Sequence, residues 1–522
     1  MIAESRVAMV LLDGSTLTLD TLERIVRDRE RVAIAPDAAA RVRASRAVID
    51  DHLARGTPVY GVNTGFGALA DVAIPSDQLA ALQLNLLRSH AAGLGDPLPV
   101  GAVRALMALR ANVLAKGYSG IRLDTLEALI ALLNANVHPW VPARGSVGAS
   151  GDLAPLAHLA LVLVGEGEVM DEERPRGSFS STGARKTTPE VLSQAGLKPV
   201  TLAPKEGIAL INGTQASTAV LALACTDASR LVRAADIAAA LTIDALRGSI
   251  HPFEARLHAV RPVPGQVASA ANLWALVEGS QLNESHEKCG KIQDAYALRC
   301  APQVHGSARE ALDFAIRLTE IEANAATDNP MVFADTGDIV SGGNFHGAPV
   351  ALAADTLAIG LAQLSTISER RIDRLLTADE SGLPPFLVRE SGLHSGLMMA
   401  HVTAAALVSE IKMFAHPASV DTIPTSAGRE DHVSMSMGAA LKAAEVLSRS
   451  RAILAIELLA GCQALDLLAP LATSAPLQRV HQAVRKIVPT LTVDRPPAPD
   501  IERISEMIAT GEIERACGID LR

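Results

Sequence analysis

The stretch Gly145-Ser-Val-Gly-Ala-Ser-Gly-Asp-Leu-Ala-Pro-Leu-Ala-His158 places glycines at a period of three ahead of an apolar run, Leu156 to Val164. Asp152 is a good N-cap and Pro155 is tolerated in a first turn, so the pattern predicts a helix from about Leu153. Ala149-Ser150-Gly151 then lies just before a helix N-terminus, where unpaired amides and the helix dipole favour negative charge. Three chemistries use such a loop. A phosphate loop needs a Lys after its last glycine, and Asp152 stands there instead. A hydrolase elbow reads G-x-S-x-G, whereas this chain has Gly148-Ala-Ser-Gly151. The third is backbone chemistry. The Gly151 nitrogen attacks the Ala149 carbonyl carbon and water leaves; Ser150 then loses its hydroxyl as a second water, leaving a five-membered ring with an exocyclic methylidene. A plain tight turn before a helix is the bland alternative.

Other segments bear on that choice. They are Tyr60-Gly-Val-Asn-Thr-Gly-Phe-Gly67, Asn212-Gly-Thr214, Gln293-Asp-Ala-Tyr296, Arg299-Cys-Ala-Pro-Gln303, Gly342-Gly-Asn-Phe-His346 and Glu430-Asp-His-Val-Ser434. With Ala149 to His158 they resemble, in order from about residue 55 to about 470, the ammonia-lyase and aminomutase family. That family builds a 4-methylidene-imidazol-5-one (MIO) electrophile from its own backbone. The resemblance implies an MIO from Ala149-Ser150-Gly151, formed autocatalytically, with no metal and no nucleotide. It implies elimination of ammonia from an aromatic L-amino acid.

Such an elimination must make the amine a better leaving group and remove a weakly acidic β-proton. A methylidene at Ser150 answers the first need; a base near the β-carbon answers the second. Tyrosine can be that base only if its pKa of about 10 is lowered or if it sits as phenolate beside positive charge. The chain has three tyrosines, Tyr60, Tyr118 and Tyr296. By resemblance Tyr60 is the base and Tyr296 orients it or the electrophile. Arg299 suits the substrate carboxylate, since guanidinium matches carboxylate geometry and stays charged. Gln293, Tyr296 and Arg299 would share one face if their segment is helical. Asn212 is placed to bond the electrophile's ring or the carboxylate, and Phe345, by resemblance, packs on the electrophile. Each has a plainer reading as a core, cap or ion-pair residue. Asp152 serves the helix start and, more weakly, cyclisation.

Substrate choice falls on His90 and Glu430. Glu430 could hold an imidazole N–H and His90 could present a donor to the other nitrogen. Ser89-His90 and Glu430-Asp-His432 resemble histidine-acting members of the family, which implies L-histidine giving trans-urocanate. The alternative is a lyase or 2,3-aminomutase acting on tyrosine or another aryl-alanine. The chain departs from the family pattern at Gly428-Arg429 (usually Asn-Gln), Ala295 (a Pro) and His401 (a Gln).

Composition narrows the classes. Of 522 residues 49% are hydrophobic, yet Trp, Tyr and Phe number only 2, 3 and 8, so the core must be Ala, Leu, Val and Ile. A net charge of −10 without a basic run argues against nucleic acid. Five scattered cysteines with no C-x-x-C pair suggest reduced thiols and a cytoplasmic setting. The first residues lack the order of a signal peptide, and no stretch of about 18 uncharged apolar residues indicates a membrane span. No H-E-x-x-H pair suggests a metal site. A pyridoxal-phosphate lyase would need a Schiff-base Lys and a phosphate cradle, and neither stands out. A catalytically dead scaffold would predict loss of Ser150 or Tyr60, and both are present.

A strand-like start and polar amphipathic helices occupy residues 1 to about 55. Helices are expected over 77–92, with Leu79, Leu82, Leu86 and His90 on one face, and over 99–115 and 123–136. Residues 171–200 look like a surface excursion. Beyond about 205 come long Ala/Leu-rich helices, broadly 206–248, 304–328, 346–378, 396–415 and 432–468, then a Pro-rich tail with a short final helix. The expected fold is mainly α: an N-terminal domain, 1–205, carrying the electrophile, and a long helical bundle domain, 206–522. The resemblance adds a homotetramer with composite active sites.

Overall fold

A computed structural model describes residues 9–56, 59–65, 72–171, 185–286 and 292–522. Residues 1–8, Phe66 and Gly67 of the Tyr60 loop, 172–184 of the expected surface excursion, and Cys289 lie outside the described residues. The protein is mainly α, as the sequence predicts, with four two-stranded sheets among the described residues. It divides into two compact units that interleave along the chain: Met1–Leu223 with Ile316–Ala354 and Pro417–Leu441, and Ala224–Ala315 with Asp355–His416 and Lys442–Arg522.

The first unit is built around helix Val100–Ala115, apolar on all sides and buried almost throughout. Its buried polar side chains work as braces. The Asn112 amide accepts from Gly14 N at 2.9 Å and donates to the Ala323 carbonyl at 2.9 Å. Arg104 donates to Asn136 Oδ1 at 2.8 Å and to the Ile25 carbonyl at 2.9 Å. Strands Met9–Leu12 and Arg31–Ile34 pair in parallel and flank helix Leu19–Arg27, whose N-cap Thr18 accepts from Thr21 N. Helix Leu79–His90 buries Leu79, Gln83, Leu86 and Leu87. Gln83 joins that stripe because its Oε1 accepts from Gly207 N at 2.8 Å, while Leu82 is only half-buried. The expected helix 206–248 is in fact two, Glu206–Ile211 and Gln215–Ala245, parted at Asn212-Gly213-Thr214.

The second unit is made of helices whose Ala and Leu side chains, such as Leu231, Ala235, Ala239 and Leu241, are fully buried. Its interior charges are paired, as burial demands. Arg371 grips Glu457 through Nε at 2.5 Å and Nη2 at 2.9 Å. Asp236 accepts from His305 Nδ1 at 2.7 Å and Arg309 Nη2 at 2.6 Å. His401 pairs with Glu369 at 2.8 Å, which gives this departure from the family pattern a structural partner. Helix Ala348–Leu376 is long and apolar enough to cross a bilayer by length and composition, but 67% of its most apolar window is buried in the fold.

Asp244 is a buried carboxyl of a different kind: among the described residues it accepts only from hydroxyls, Ser280 Oγ at 2.7 Å to each oxygen and Thr473 Oγ1. Burial pushes its pKa up from 3.8 to about 6. Its folded pKa lies above its unfolded one, so the stability it contributes is present below about pH 4 and is lost as the pH rises through 6. Asp244→Asn is therefore expected to be more stable than the parent at pH 8, by up to about 3 kcal/mol. Denaturant melts at pH 8 and pH 4 check this; an equal gap at both values would refute it.

Candidate active site

The Gly-rich loop is held in a conformation that demands its glycines. Gly148 and Gly151 have φ of +67° and +73°. A Cβ on Gly148 would fall 2.2 Å from Ser434 Oγ, and one on Gly151 would fall 2.2 Å from the Gly213 carbonyl oxygen. The loop therefore lies in backbone contact with two distant segments. Gly151 bridges Gly213, and Asp152 N donates to the Gly213 carbonyl at 2.7 Å. Met435 N donates to the Val147 carbonyl at 2.8 Å, and Ser434 Oγ to the Gly148 carbonyl at 3.0 Å.

Helix Leu153–Leu163 begins where the sequence places it, but Asp152 does not cap it with its side chain. The carboxylate reaches instead to the first turn of helix Gln215–Ala245. There Oδ2 accepts from Ser217 N at 2.7 Å and Ser217 Oγ at 2.8 Å, while Oδ1 accepts from Ser146 Oγ at 2.8 Å. Burial raises the Asp152 pKa against the pull of these bonds. One fully buried carboxyl thus ties both flanks of the tripeptide region together.

Ser150 is half-buried, and its Oγ donates to Glu430 Oε1 at 3.1 Å. The other oxygen of Glu430 accepts from Thr425 Oγ1 at 2.6 Å. Thr425 and Glu430 also exchange main-chain bonds of 2.9 and 3.3 Å, closing a turn in which Ser426, Ala427 and Gly428 all have positive φ. His90 lies near enough to Glu430 for the carboxylate charge to act on its ring. Burial holds the His90 pKa below its ordinary value, a hydrogen bond and Glu430 opposing this. His90 Nδ1 contacts the Leu86 carbonyl at 2.9 Å and Ser89 Oγ at 3.0 Å. The carbonyl can only accept, so Nδ1 carries the proton and neutral His90 offers a lone pair at Nε2. That corrects the expectation that His90 presents a donor.

Asn212 sits in the gap between the two helices. Its Nδ2 donates to the Asn329 carbonyl at 3.0 Å, and its buried Oδ1 has no hydrogen-bond partner among the described residues. Phe345 is half-buried beside Gly347, whose Cβ would fall 2.5 Å from Ser436 Oγ. Segment 345–347 thus meets the 434–436 segment that also touches Gly148. His346 stacks on His432 with ring centroids 5.7 Å apart. Tyr60 lies half-buried in a turn of the same unit. His158 Nε2 accepts from Gly93 N at 3.1 Å, a wall role rather than a reactive one.

Gln293, Tyr296 and Arg299 form their own cluster in the second unit. They do not share a helix face, because the helix is a single turn, Tyr296–Arg299, that starts after Gln293. They meet all the same: Arg299 Nη2 donates to Gln293 Oε1 at 3.1 Å, and its guanidinium lies 4.6 Å from the Tyr296 ring centre. Arg299 Nε donates to the Asp294 carbonyl at 2.9 Å, which leaves Nη1 and half of the fork for a ligand. Tyr296 is 71% exposed. Among the described residues no group of three or more His, Cys, Asp or Glu side chains is arranged to hold a metal ion.

The aromatic amino acid lyase family matches residues 17–486. The chain belongs to that family. It is a carbon–nitrogen lyase, and the resemblance read from the seven motifs is borne out. It is 55% identical over 507 residues to a histidine ammonia-lyase of Anaeromyxobacter sp. (strain K), covering 97% of this chain and 99% of that one. A histidine ammonia-lyase of Myxococcus xanthus is 52% identical over 504 residues, with 97% of each chain covered. Among solved structures, histidine ammonia-lyase from Trypanosoma cruzi matches at 44% identity and a TM-score of 0.89, covering 98% of this chain and 95% of that one. Tyrosine aminomutase from Streptomyces globisporus matches at 39% identity and a TM-score of 0.92, covering 99% and 100%. The backbone is thus common to proteins named for different substrates and outcomes, so the fold alone does not set the substrate.

Two residues that hold the groups around the Gly-rich loop escaped sequence reasoning: Thr425 and Ser217. Each acts through contacts distant in sequence or within an irregular turn, where no periodic signal exists.

Proposed function

We propose that this lyase eliminates ammonia from L-histidine to give trans-urocanate, using an MIO formed from Ala149-Ser150-Gly151. The observation that carries the reading is the 3.1 Å bond from Ser150 Oγ to Glu430. It supports the reading because the residue that would supply the methylidene carbon stands beside a carboxylate suited to an imidazole N–H. The residues present fit the group: Gly151 admits no side chain, and the unpartnered Asn212 Oδ1 is available to a nearby donor. Once formed, the group supplies an electrophilic carbon that takes up the substrate amine and makes ammonia a leaving group.

The remaining work falls to side chains. Tyr60 takes the β-proton and Arg299 clamps the carboxylate with Gln293, while Tyr296 orients the base or the electrophile. Phe345 forms a wall, and Glu430 accepts the ring N–H. Full-length identity of 50–55% to histidine ammonia-lyases supports histidine over tyrosine or another aryl-alanine. Incubation with histidine, tyrosine and phenylalanine, with products identified by mass and ultraviolet spectrum, tests it. Urocanate from histidine is the expected result; β-tyrosine or coumarate with histidine untouched would overturn the substrate.

We further propose a homotetramer with composite sites. Helix Met398–Phe414 buries only Ala400, Ala404 and Ile411 and leaves Met399, Val402 and Met413 more than half exposed. Exposed Tyr296 and Ile292 add to these apolar side chains, which supports their burial against further copies of the chain. Co-folding inactive Tyr60→Phe with inactive Arg299→Gln is expected to restore part of the activity; no recovery in mixed tetramers would refute shared sites. The four described cysteines are free thiols, in keeping with a cytoplasmic setting.

A further inference from the structure

We propose that Arg110 is a positioning residue for the cyclisation of Ala149-Ser150-Gly151, acting through the Asn212-Gly213 turn; this rests on that cyclisation taking place. Arg110 is fully buried, and its fork meets no carboxylate at hydrogen-bond distance among the described residues. Nη1 donates to the Asn212 carbonyl at 2.8 Å and to Gln215 Oε1 at 2.6 Å, Nη2 donates to the Ala209 carbonyl, and Nε has no partner among the described residues. The nearby carboxylate, Asp328, is engaged by Lys205 Nζ at 3.0 Å and reaches Arg110 only through its charge. Burial lowers the Arg110 pKa to about 10, so the group stays charged at neutral pH.

A buried cation held by neutral acceptors is costly, and a cation that only served the end of helix Glu206–Ile211 could sit at the surface. Here the fork bridges the end of that helix and the start of Gln215–Ala245, fixing the gap between them. The gap bears directly on the tripeptide. A Cβ on Gly213 would fall 2.6 Å from Arg110 Nη1, and a Cβ on Gly151 would fall 2.2 Å from the Gly213 carbonyl oxygen. Arg110, Gly213 and Gly151 are therefore stacked without slack. The same fork fixes the main chain of Asn212, whose Oδ1 is left unpaired.

Ring closure needs this rigidity. The Gly151 nitrogen forms a bond to the Ala149 carbonyl carbon. That oxygen departs as water with the Gly151 and Ser150 amide protons, leaving a carbon–nitrogen double bond. Ser150 then loses Oγ with its α-proton as the second water. No oxidant is required. A misplacement of about 1 Å costs such a reaction about 10²-fold.

The test follows the mass of the peptide containing residue 150 over time, in folded wild-type protein, Arg110→Lys, Arg110→Gln and Leu109→Ala. Leu109 is fully buried on the same helix, so its truncation reports general destabilisation alone. Wild type and Leu109→Ala should lose both waters completely, while the Arg110 variants fold by circular dichroism yet lose them about 100-fold more slowly. Lysine keeps the charge but not the fork. Arg110 variants that cyclise as fast as Leu109→Ala would overturn the proposal. If they do not fold, Gln215→Leu removes one acceptor of the fork; slower water loss supports the role, and an unchanged rate overturns it. A wild-type peptide of full sequence mass would show that the ring itself does not form.

Discussion

Ser150→Ala is expected to fold normally and to lose activity by on the order of 10³-fold or more, about 4 kcal/mol of transition-state stabilisation. The two effects separate because they rest on different contacts. Structurally, the substitution removes a hydroxyl that donates to Glu430 Oε1 only in the uncyclised chain, at a half-buried site where Thr425 still satisfies the other oxygen. A lost bond of that kind costs about 1 kcal/mol. The loop is held by other bonds, from Asp152 N to Gly213 and from Met435 N to Val147, and none involves the Ser150 side chain. Chemically, alanine has no hydroxyl to lose, so no methylidene carbon arises. The wild-type peptide should weigh two waters less than its sequence, and the variant should not. An active wild type without the deficit, or an active Ser150→Ala, would end the MIO reading.

Much of this was legible because it is local. Glycine spacing before an apolar run marked the loop, and the helix does start at Leu153. Ala/Leu-rich periodicity located the long helices to within a few residues, as with Ala348–Leu376 against the expected 346–378. Asn212 beside Gly213 was recognisable as an interruption, although the surrounding helical pattern still read as one helix. What stayed hidden is long-range. Asp152 looked like the cap of its own helix, but its acceptor capacity is used by Ser217, 65 residues away. Arg110 reads as one polar residue in an apolar helix, and only the fold shows its fork reaching Asn212, 102 residues on. The Ser150–Glu430 bond spans 280 residues. Family motifs named both ends, but spacing could not show that they touch. For His90 the residue type shows a ring alone, and the Leu86 carbonyl decides which nitrogen holds the proton.

That tautomer shapes the last prediction. With Nδ1–H turned to Leu86, neutral His90 and ionised Glu430 both present acceptors. An imidazole substrate has one N–H, and the charged acceptor makes the stronger bond with it, about 1.5–3 kcal/mol. Glu430 should therefore carry more of the discrimination than His90. Glu430→Gln keeps the volume, and Thr425 Oγ1, which cyclisation leaves in place, can accept as well as donate, so the new amide finds a partner and the fold should hold. Its kcat/KM on histidine is expected to fall by about 10- to 150-fold, with a melting temperature close to wild type. His90→Ala should cost less. Phenylalanine offers neither acceptor a partner, while a tyrosine hydroxyl, like an imidazole N–H, can serve one of them. Kinetics of the two variants on histidine and tyrosine decide the matter: unchanged histidine turnover in Glu430→Gln would mean that this carboxylate does not read the substrate ring.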